Sequence, residues 1–138
     1  MNRFIAAAAM SLLAVPAIAE STGDAAKGEK AMNKCKSCHM IESSSGEMIL
    51  KGGKTGPNLY GVIGRTAGSV EGFKYGADLV AAGEAGLVWD EANFAAYTAD
   101  PAGFLKSYLD NDKAKSKMTF KLKSGAEDVS AYLVSVAE

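Results

Sequence analysis

The chain has 138 residues, 48% of them hydrophobic, and its fifteen basic and sixteen acidic residues give a net charge of −1. This length favours a single domain. The near balance of charge excludes a strongly basic nucleic-acid-binding protein. We therefore expect a monomer with no nucleic-acid partner.

The N-terminal segment has the features of a secretory signal peptide. Arg3 supplies a positive start, residues 4–15 are almost entirely apolar, and Ala-Ile-Ala at 17–19 is a small-x-small cleavage site. An uncleaved membrane anchor is the alternative, but its apolar run is shorter than the roughly 18 to 20 residues that span a bilayer. We expect residues 1–19 to be cleaved, and residues 20–138 to form a domain outside the cytoplasm with no stable membrane insertion.

The first helix of the domain is predicted from Asp24 to Cys35. It has an acidic start, and Gly28, Met32 and Cys35 fall on one face. Glycine inside a helix costs about 1 kcal/mol relative to alanine. Gly28 therefore indicates either a close approach of another backbone or a tolerated exposed glycine.

The run Cys35-Lys36-Ser37-Cys38-His39 holds both cysteines and the only histidine of the chain. C-x-x-C-H is the attachment signature of c-type haem. The two thiols can add across the porphyrin vinyl groups, and His39 can then reach the iron from one face. A disulfide in an exported protein and a thiol redox or metal-binding module without haem are the alternatives. The disulfide leaves His39 without a role.

Residues 46–86 are predicted to be rich in loops, because eleven of the fifteen glycines lie there. Gly56-Pro57-Asn58 is a turn signal, and no sustained alternation of apolar residues indicates a sheet. The segment nevertheless contains apolar and aromatic side chains that favour wrapping around a ligand. They are Leu59, Tyr60, Val62, Ile63, Phe73 and Tyr75.

Three further helices are predicted in the C-terminal half. Residues 90–98 have a helical pattern, and Asp100-Pro101 opens a helix that runs to about Leu109. Ser124 to Glu127 fits a capping box at the start of the last helix. The apolar stripe of that helix consists of Val129, Tyr132, Leu133 and Val136.

The group that occupies the second axial position of a bound haem decides between two possible functions. A methionine thioether there would block substrate and raise the reduction potential, which favours electron transfer. An open position would give a gas-binding protein or a peroxidase-like enzyme. Met48 and Met118 are the candidates, since Met32 fits the core and Met40 adjoins His39. Met118 is favoured, because its polar loop between two helices lies far along the chain.

Lysines are clustered although the total charge is nearly neutral. Five lie between Lys113 and Lys123 without an acidic residue, and another four flank the attachment run. Such a cluster either docks an oppositely charged partner or is a merely solvated loop. The acidic residues expected to lie elsewhere, giving the molecule a dipole, are Asp78, Glu84, Asp90 and Glu91.

Taken together, the chain resembles the class I cytochromes c, and specifically the periplasmic cytochromes c2 of purple bacteria. The resemblance covers essentially the whole mature chain in order. It implies a small all-α fold of four to five helices, with long loops wrapped around one covalently bound haem c. The matching pieces are residues 23–35, the attachment run to His39, residues 54–61, Gly64-Arg65, Trp89, residues 116–120 and residues 131–133.

The resemblance also implies roles for single residues. Cys35 and Cys38 would carry the thioether bonds, and His39 and Met118 would ligate the iron. The carbonyl of Pro57 would accept the outer N–H of His39 and fix the orientation of the ring.

Four other residues receive implied roles around the haem. Tyr75, Trp89 and Arg65 would surround the propionates, and Tyr97 would lie near the sulfur of Met118. Ordinary core aromatics at positions 89 and 97 and a solvated charge at position 65 are the alternatives.

The implied function is single-electron transfer in the periplasm rather than enzymatic catalysis. Electrons would come from a cytochrome bc1 complex and pass to a photosynthetic reaction centre, a terminal oxidase, or both. The exposed haem edge would be ringed by docking lysines. These are Lys36, Lys54, Lys115, Lys117, Lys121 and Lys123.

Overall fold

The computed structural model describes residues 21–138, so the predicted cleavage of residues 1–19 lies outside the described residues. Over that range the chain forms five α-helices and one two-stranded sheet, which confirms the predicted all-α class. The helices are α1 (Ala25–Ala31), α2 (Ala77–Glu84), α3 (Glu91–Ala99), α4 (Pro101–Tyr108) and α5 (Ala126–Ser135). The strands are β1 (Ile41–Glu42) and β2 (Met48–Leu50).

Helix α1 begins at Ala25, one residue after the predicted start at Asp24, and ends at Ala31, four residues before the predicted end at Cys35. The Asp24 carboxylate accepts from the backbone N–H groups of Ala26 (2.9 Å) and Lys27 (3.1 Å) and so caps the helix. After Ala31 the chain tightens into a 3-10 turn over Met32–Lys34. The helix therefore delivers Cys35 at its C-terminal end.

Helices α1 and α5 cross at a glycine. A Cβ atom on the buried Gly28 would overlap the carbonyl oxygen of Asp128 and crowd the Cβ of Tyr132. Only glycine permits this approach. The prediction that another backbone comes close to Gly28 is confirmed, and the alternative of an exposed glycine is wrong.

The start of α5 differs from the predicted capping box. The helix begins at Ala126, its N-cap is Gly125 with φ of +81°, and no side chain caps it. Since φ is positive there, glycine at 125 defines the turn, and Ser124 lies one residue too early to cap. The predicted apolar stripe does face the core, where Val129 and Leu133 are each 1% exposed.

Residues 46–86, predicted to be rich in loops and without a sheet, also contain strand β2 and helix α2. Strands β1 and β2 pair antiparallel, but each has only two or three residues, too few to show alternation. Helix α2 carries a glycine within it, because a Cβ on Gly83 would overlap the carbonyl oxygen of Ala67. A packing requirement therefore explains a residue that weakens the sequence signal for a helix.

Helix α4 starts at the predicted Pro101, and α3 starts at Glu91, one residue after the predicted start. The Asp90 carboxylate accepts from the N–H of Asn93 at 2.7 Å and caps α3. Pro101 opens α4, but the Asp100 side chain makes no capping hydrogen bond there and instead forms an ion pair with Lys121 at 3.0 Å. Among the described residues, none of the helices is long and apolar enough to cross a bilayer.

Candidate haem site

A cavity of about 380 Å³ lies between the attachment run and the loop that follows α4. Cys35, Cys38 and His39 line it, and so does Met118. Of the other methionines in the described part of the chain, Met32 is fully buried in the core and Met48 is 45% exposed. The described residues include four methionines, Met32, Met40, Met48 and Met118, and of these only Met118 lines the cavity.

The orientation of His39 is fixed by a carbonyl. Its Nδ1 lies 2.9 Å from the carbonyl oxygen of Pro57. Because a carbonyl only accepts, Nδ1 carries the proton and Nε2 keeps its lone pair. Burial lowers the pKa of His39, while the bond to Pro57 opposes that shift. The neutral imidazole that results is the form that ligates a metal.

A glycine-rich loop closes tightly around the attachment run. The Gly53 N–H donates to the carbonyl of Lys36 (2.9 Å), and the Gly56 N–H donates to that of Cys38 (2.7 Å). A Cβ atom on Gly56 would overlap the ring of His39. The loop therefore packs against the imidazole at backbone distance, and only glycine fits between them.

The two cysteines are set on a single tight turn. The N–H groups of Cys38 (3.1 Å) and His39 (3.0 Å) both donate to the carbonyl of Cys35. Their thiols are not joined in a disulfide, and burial raises the pKa of Cys35. Redox-active C-x-x-C pairs instead have a lowered thiol pKa. The raised pKa of Cys35 thus argues against a thiol redox module.

Tyr97 connects α3 to the loop that carries Met118. Its hydroxyl lies 3.1 Å from Oγ of Ser116, and its ring centroid lies 4.9 Å from that of Trp89. Burial raises the pKa of Tyr97, so the hydroxyl is neutral and able to hydrogen-bond. Both aromatic rings line the cavity, and Tyr97 holds the chain two residues before Met118.

Arg65 and Tyr75 both line the cavity, and the side chains of both form hydrogen bonds with backbone groups. The guanidinium of Arg65 donates to the carbonyls of Tyr60 and Asn58, each at 3.1 Å, and burial lowers its pKa. The hydroxyl of Tyr75 accepts from the Val70 N–H at 3.2 Å. Arg65 is therefore not a merely solvated loop charge.

Several cavity residues were not predicted as site residues. Of the apolar residues noted in the glycine-rich segment, Leu59, Val62 and Phe73 line the cavity. Others lie on helices, where their spacing gives no signal that separates a cavity wall from an ordinary core. These include Leu79, Phe94, Thr98 and Val129.

All six predicted docking lysines are exposed, but their surroundings differ. Lys115 and Lys117 line the cavity, whereas Lys121 pairs with Asp100. The expectation that Asp78 lies away from this cluster is wrong: its carboxylate accepts from the Lys115 N–H at 2.8 Å. Asp78 is the second residue of α2, and that helix packs beside the lysine-rich loop.

These features fit a covalently attached haem. The cavity has two thiols on one turn, a neutral imidazole with a free Nε2, and a wall of mostly apolar side chains. Gly56 leaves room for the imidazole and nothing more. The donor set and the mostly apolar lining of the cavity therefore suit a porphyrin held beside His39.

Comparison with known proteins agrees with the geometry, although no protein-family model matches the chain. Cytochrome c-551 of Roseobacter denitrificans is 64% identical over 129 residues, which are 94% of this chain and 91% of the relative. Cytochrome c2 of Rhodobacter capsulatus is 56% identical over 133 residues, covering 96% and 95%. The solved structure of cytochrome c2 from Rhodobacter capsulatus superposes with a TM-score of 0.82 at 58% identity, covering 84% of this chain and all of that one.

The chain belongs to the class I c-type cytochromes and, within them, lies close to the cytochromes c2. It is an electron-transfer protein rather than an enzyme, and it carries one covalently bound haem c.

Proposed function

We propose that the protein shuttles single electrons in the periplasm with His39 and Met118 as the two ligands of its haem iron. The observation that carries this proposal is that Met118 and His39 line the same cavity, each on a loop held by its own hydrogen bonds. We further propose that residues 1–19 are removed as a signal peptide and that residues 20–138 are the mature domain.

In this proposal the residues of the cavity keep the site rigid. Cys35 and Cys38 hold the haem through thioether bonds, and Pro57 fixes the ring of His39 in one orientation. The bound haem supplies a one-electron exchange between the ferric and ferrous states. Met118 excludes water and small ligands from the second face.

Three more residues have proposed roles beside the haem propionates. Arg65 brings a positive charge to the cavity wall, and Tyr75 and Trp89 bring polar hydrogens. Tyr97 acts indirectly, because its hydrogen bond to Ser116 holds the loop that carries Met118.

The proposed partners are a cytochrome bc1 complex as donor and a photosynthetic reaction centre, a terminal oxidase, or both, as acceptors. Support comes from the exposed lysines near the cavity, since oppositely charged surfaces steer fast encounters. Lys117 and Lys121 have intramolecular partners. Their charges are therefore less available to a partner than those of Lys36, Lys54, Lys115 and Lys123.

Replacement of Met118 by alanine tests the ligation directly. We expect the reduction potential to fall on the order of 0.2 V. This is a fraction of the roughly 0.8 V range over which axial ligands set the potential of a haem. The reduced holoprotein should then bind carbon monoxide readily. Met48→Ala is the matched control, because the same side chain is removed from an exposed strand outside the cavity. An unchanged potential and ready carbon monoxide binding by the wild type would favour the open-site alternative.

Kinetics across ionic strength test the partners. We expect rapid oxidation of the reduced protein by purified reaction centres or terminal oxidase, slowing as salt screens the lysines. Lys115→Gln should slow oxidation at low salt more than Lys30→Gln, which removes the same charge from α1. Equal effects of the two variants, or rates that ignore salt, would contradict the docking surface.

A further inference from the structure

Two segments that are distant in sequence meet at the cavity wall. Phe73, Tyr75 and Gly76 line it from one segment, and residues 115–120 line it from the other. Two hydrogen bonds join the stretch 73–78 to residues 115–120: the Lys115 N–H donates to Oδ2 of Asp78 at 2.8 Å, and Nζ of Lys117 donates to the carbonyl of Lys74 at 3.0 Å. We call these two bonds the loop bridge.

The loop bridge is backed by packing and by a helix. A Cβ atom on Gly76 would lie 3.4 Å from Cγ of Lys117, so the stem of that lysine runs across Gly76. Gly76 is the N-cap of α2, and Asp78 lies in its first turn. The bridge therefore ties Lys115 to the first turn of α2 and Lys117 to the chain that leads into that helix.

The loop of Met118 has few other attachments. Lys113, Lys115, Lys117 and Phe120 are exposed, and Met118 itself is half-buried. Beyond the loop bridge, three contacts anchor this stretch: the Tyr97–Ser116 contact, the bond from the Leu122 N–H to the Thr98 carbonyl (2.8 Å) and the exposed ion pair of Lys121 with Asp100 (3.0 Å). A hydrogen bond from an amide to a carboxylate is stronger than one between neutral groups. The bond to Asp78 should thus be a principal restraint.

We infer that Asp78 is a positioning residue for Met118, an inference that rests on the proposed ligation by Met118. By holding the N–H of Lys115, Asp78 keeps residues 115–120 against the cavity. When the bond between Lys115 and Asp78 breaks, the loop of Met118 loses this restraint and leaves the cavity more often. Each such opening exposes the second face of the haem.

The test is the rate of carbon monoxide binding to the reduced holoprotein, which reports how often Met118 leaves its position. Asp78→Ala should raise this rate about fivefold, which corresponds to about 1 kcal/mol at 1.4 kcal/mol per tenfold. Asp78→Asn should restore most but not all of the wild-type rate, because its amide oxygen can accept the same hydrogen bond without the charge of the carboxylate. Glu84→Ala removes a carboxylate from the other end of α2 and should leave the rate unchanged.

A second measurement separates local from general loosening. The denaturant midpoint of each holoprotein variant should fall too little to explain the faster binding. The inference is overturned if Asp78→Ala behaves like Glu84→Ala, if asparagine fails to restore the rate, or if a loss of global stability accounts for the whole change. Failure of the ligation itself has a different signature, since Met118→Ala would then bind carbon monoxide no faster than the wild type.

Discussion

The two faces of the cavity are held in different ways. On the side of His39, the residues that fix the imidazole follow it closely in the chain, as with Pro57, which is 18 residues away. Backbone groups of Gly53 and Gly56 add two hydrogen bonds there. On the side of Met118, the bridging residue Asp78 lies 37 residues from its partner Lys115, and most of the loop is exposed.

This difference teaches which face can move. A short loop that packs at backbone distance against His39 has no alternative arrangement at low cost, because every displacement breaks several bonds at once. The loop of Met118 depends on a few separate hydrogen bonds to α2 and α3, and each can break without the others. The attachment face is a fixed reference, whereas the methionine face is the one that yields first.

The largest expected effect tests how tightly the histidine face is packed. Gly56→Ala should destabilise the holoprotein by about 3 kcal/mol, because its Cβ would overlap the ring of His39. Gly76→Ala on the methionine side should cost under about 1 kcal/mol, since its nearest neighbour would lie at an ordinary contact distance. Denaturant midpoints of both variants measure the contrast. Similar losses would show that the two faces are packed alike.

Arg65 should give the next largest effect on the histidine side. Arg65→Met leaves the carbonyls of Asn58 and Tyr60 without their donor, at a cost of about 2 kcal/mol. Arg65→Lys should recover only part of this, because lysine lacks the planar fork that reaches both carbonyls. Equilibrium unfolding of the three proteins provides the comparison. Full recovery by lysine would assign the effect to charge alone.

On the methionine side, a single hydroxyl contact is open to test. Tyr97→Phe and Ser116→Ala should each cost about 1 kcal/mol. The double variant should cost little more than either, since both remove the same bond. Each variant should also speed carbon monoxide binding. If Tyr97→Phe costs more than Arg65→Met, the methionine face is the more rigid one and the comparison is reversed.

The smallest effect concerns a region outside both faces. Ser21 and Thr22 donate to the carboxylate of Glu91, and these bonds lower its pKa below the ordinary 4.5. A depressed carboxyl pKa gives stability that is present above the unfolded value and lost as the pH falls through the folded one. The advantage of the wild type over Glu91→Gln should therefore be small and should vanish in acid.

Denaturant unfolding between neutral pH and about pH 3 follows this loss. Carbon monoxide binding at neutral pH is the control, and Glu91→Gln should leave it unchanged, because none of the three residues lines the cavity. A faster rate in that variant would mean that the opening of the methionine face reaches the N-terminal segment.

Local sequence signals predicted the parts of the molecule that depend on near neighbours. The attachment run, the cap at Asp24 and the start of α4 at Pro101 each depend on residues within one or two helical turns. Met118 was favoured because the polar loop around it lies far from His39. It lines the cavity as that reasoning requires, and its ligation remains a proposal.

Features that depend on distant contacts were missed. Helix α2 was not predicted, because Gly83 lowers the helix propensity of its sequence. A glycine is needed at that position because a Cβ atom would overlap the carbonyl oxygen of Ala67. The capping box at Ser124 failed because Gly125 takes a positive φ and starts the helix one residue later. Asp78 was placed away from the lysines, since a pattern of charge along the chain does not show which loops meet.

The crossing of α1 and α5 has a topological consequence. Gly23 and Gly28 both bring their backbone against that of residues 127 and 128, so the two ends of the described chain are clasped together. The cavity residues from Cys35 to Leu122 all lie on the long loop that this clasp closes. The chain loses the entropy of closing that loop once, when Gly23 and Gly28 come into contact with residues 127 and 128. The proposed opening of the methionine segment therefore leaves the contact between the two ends of the described chain in place.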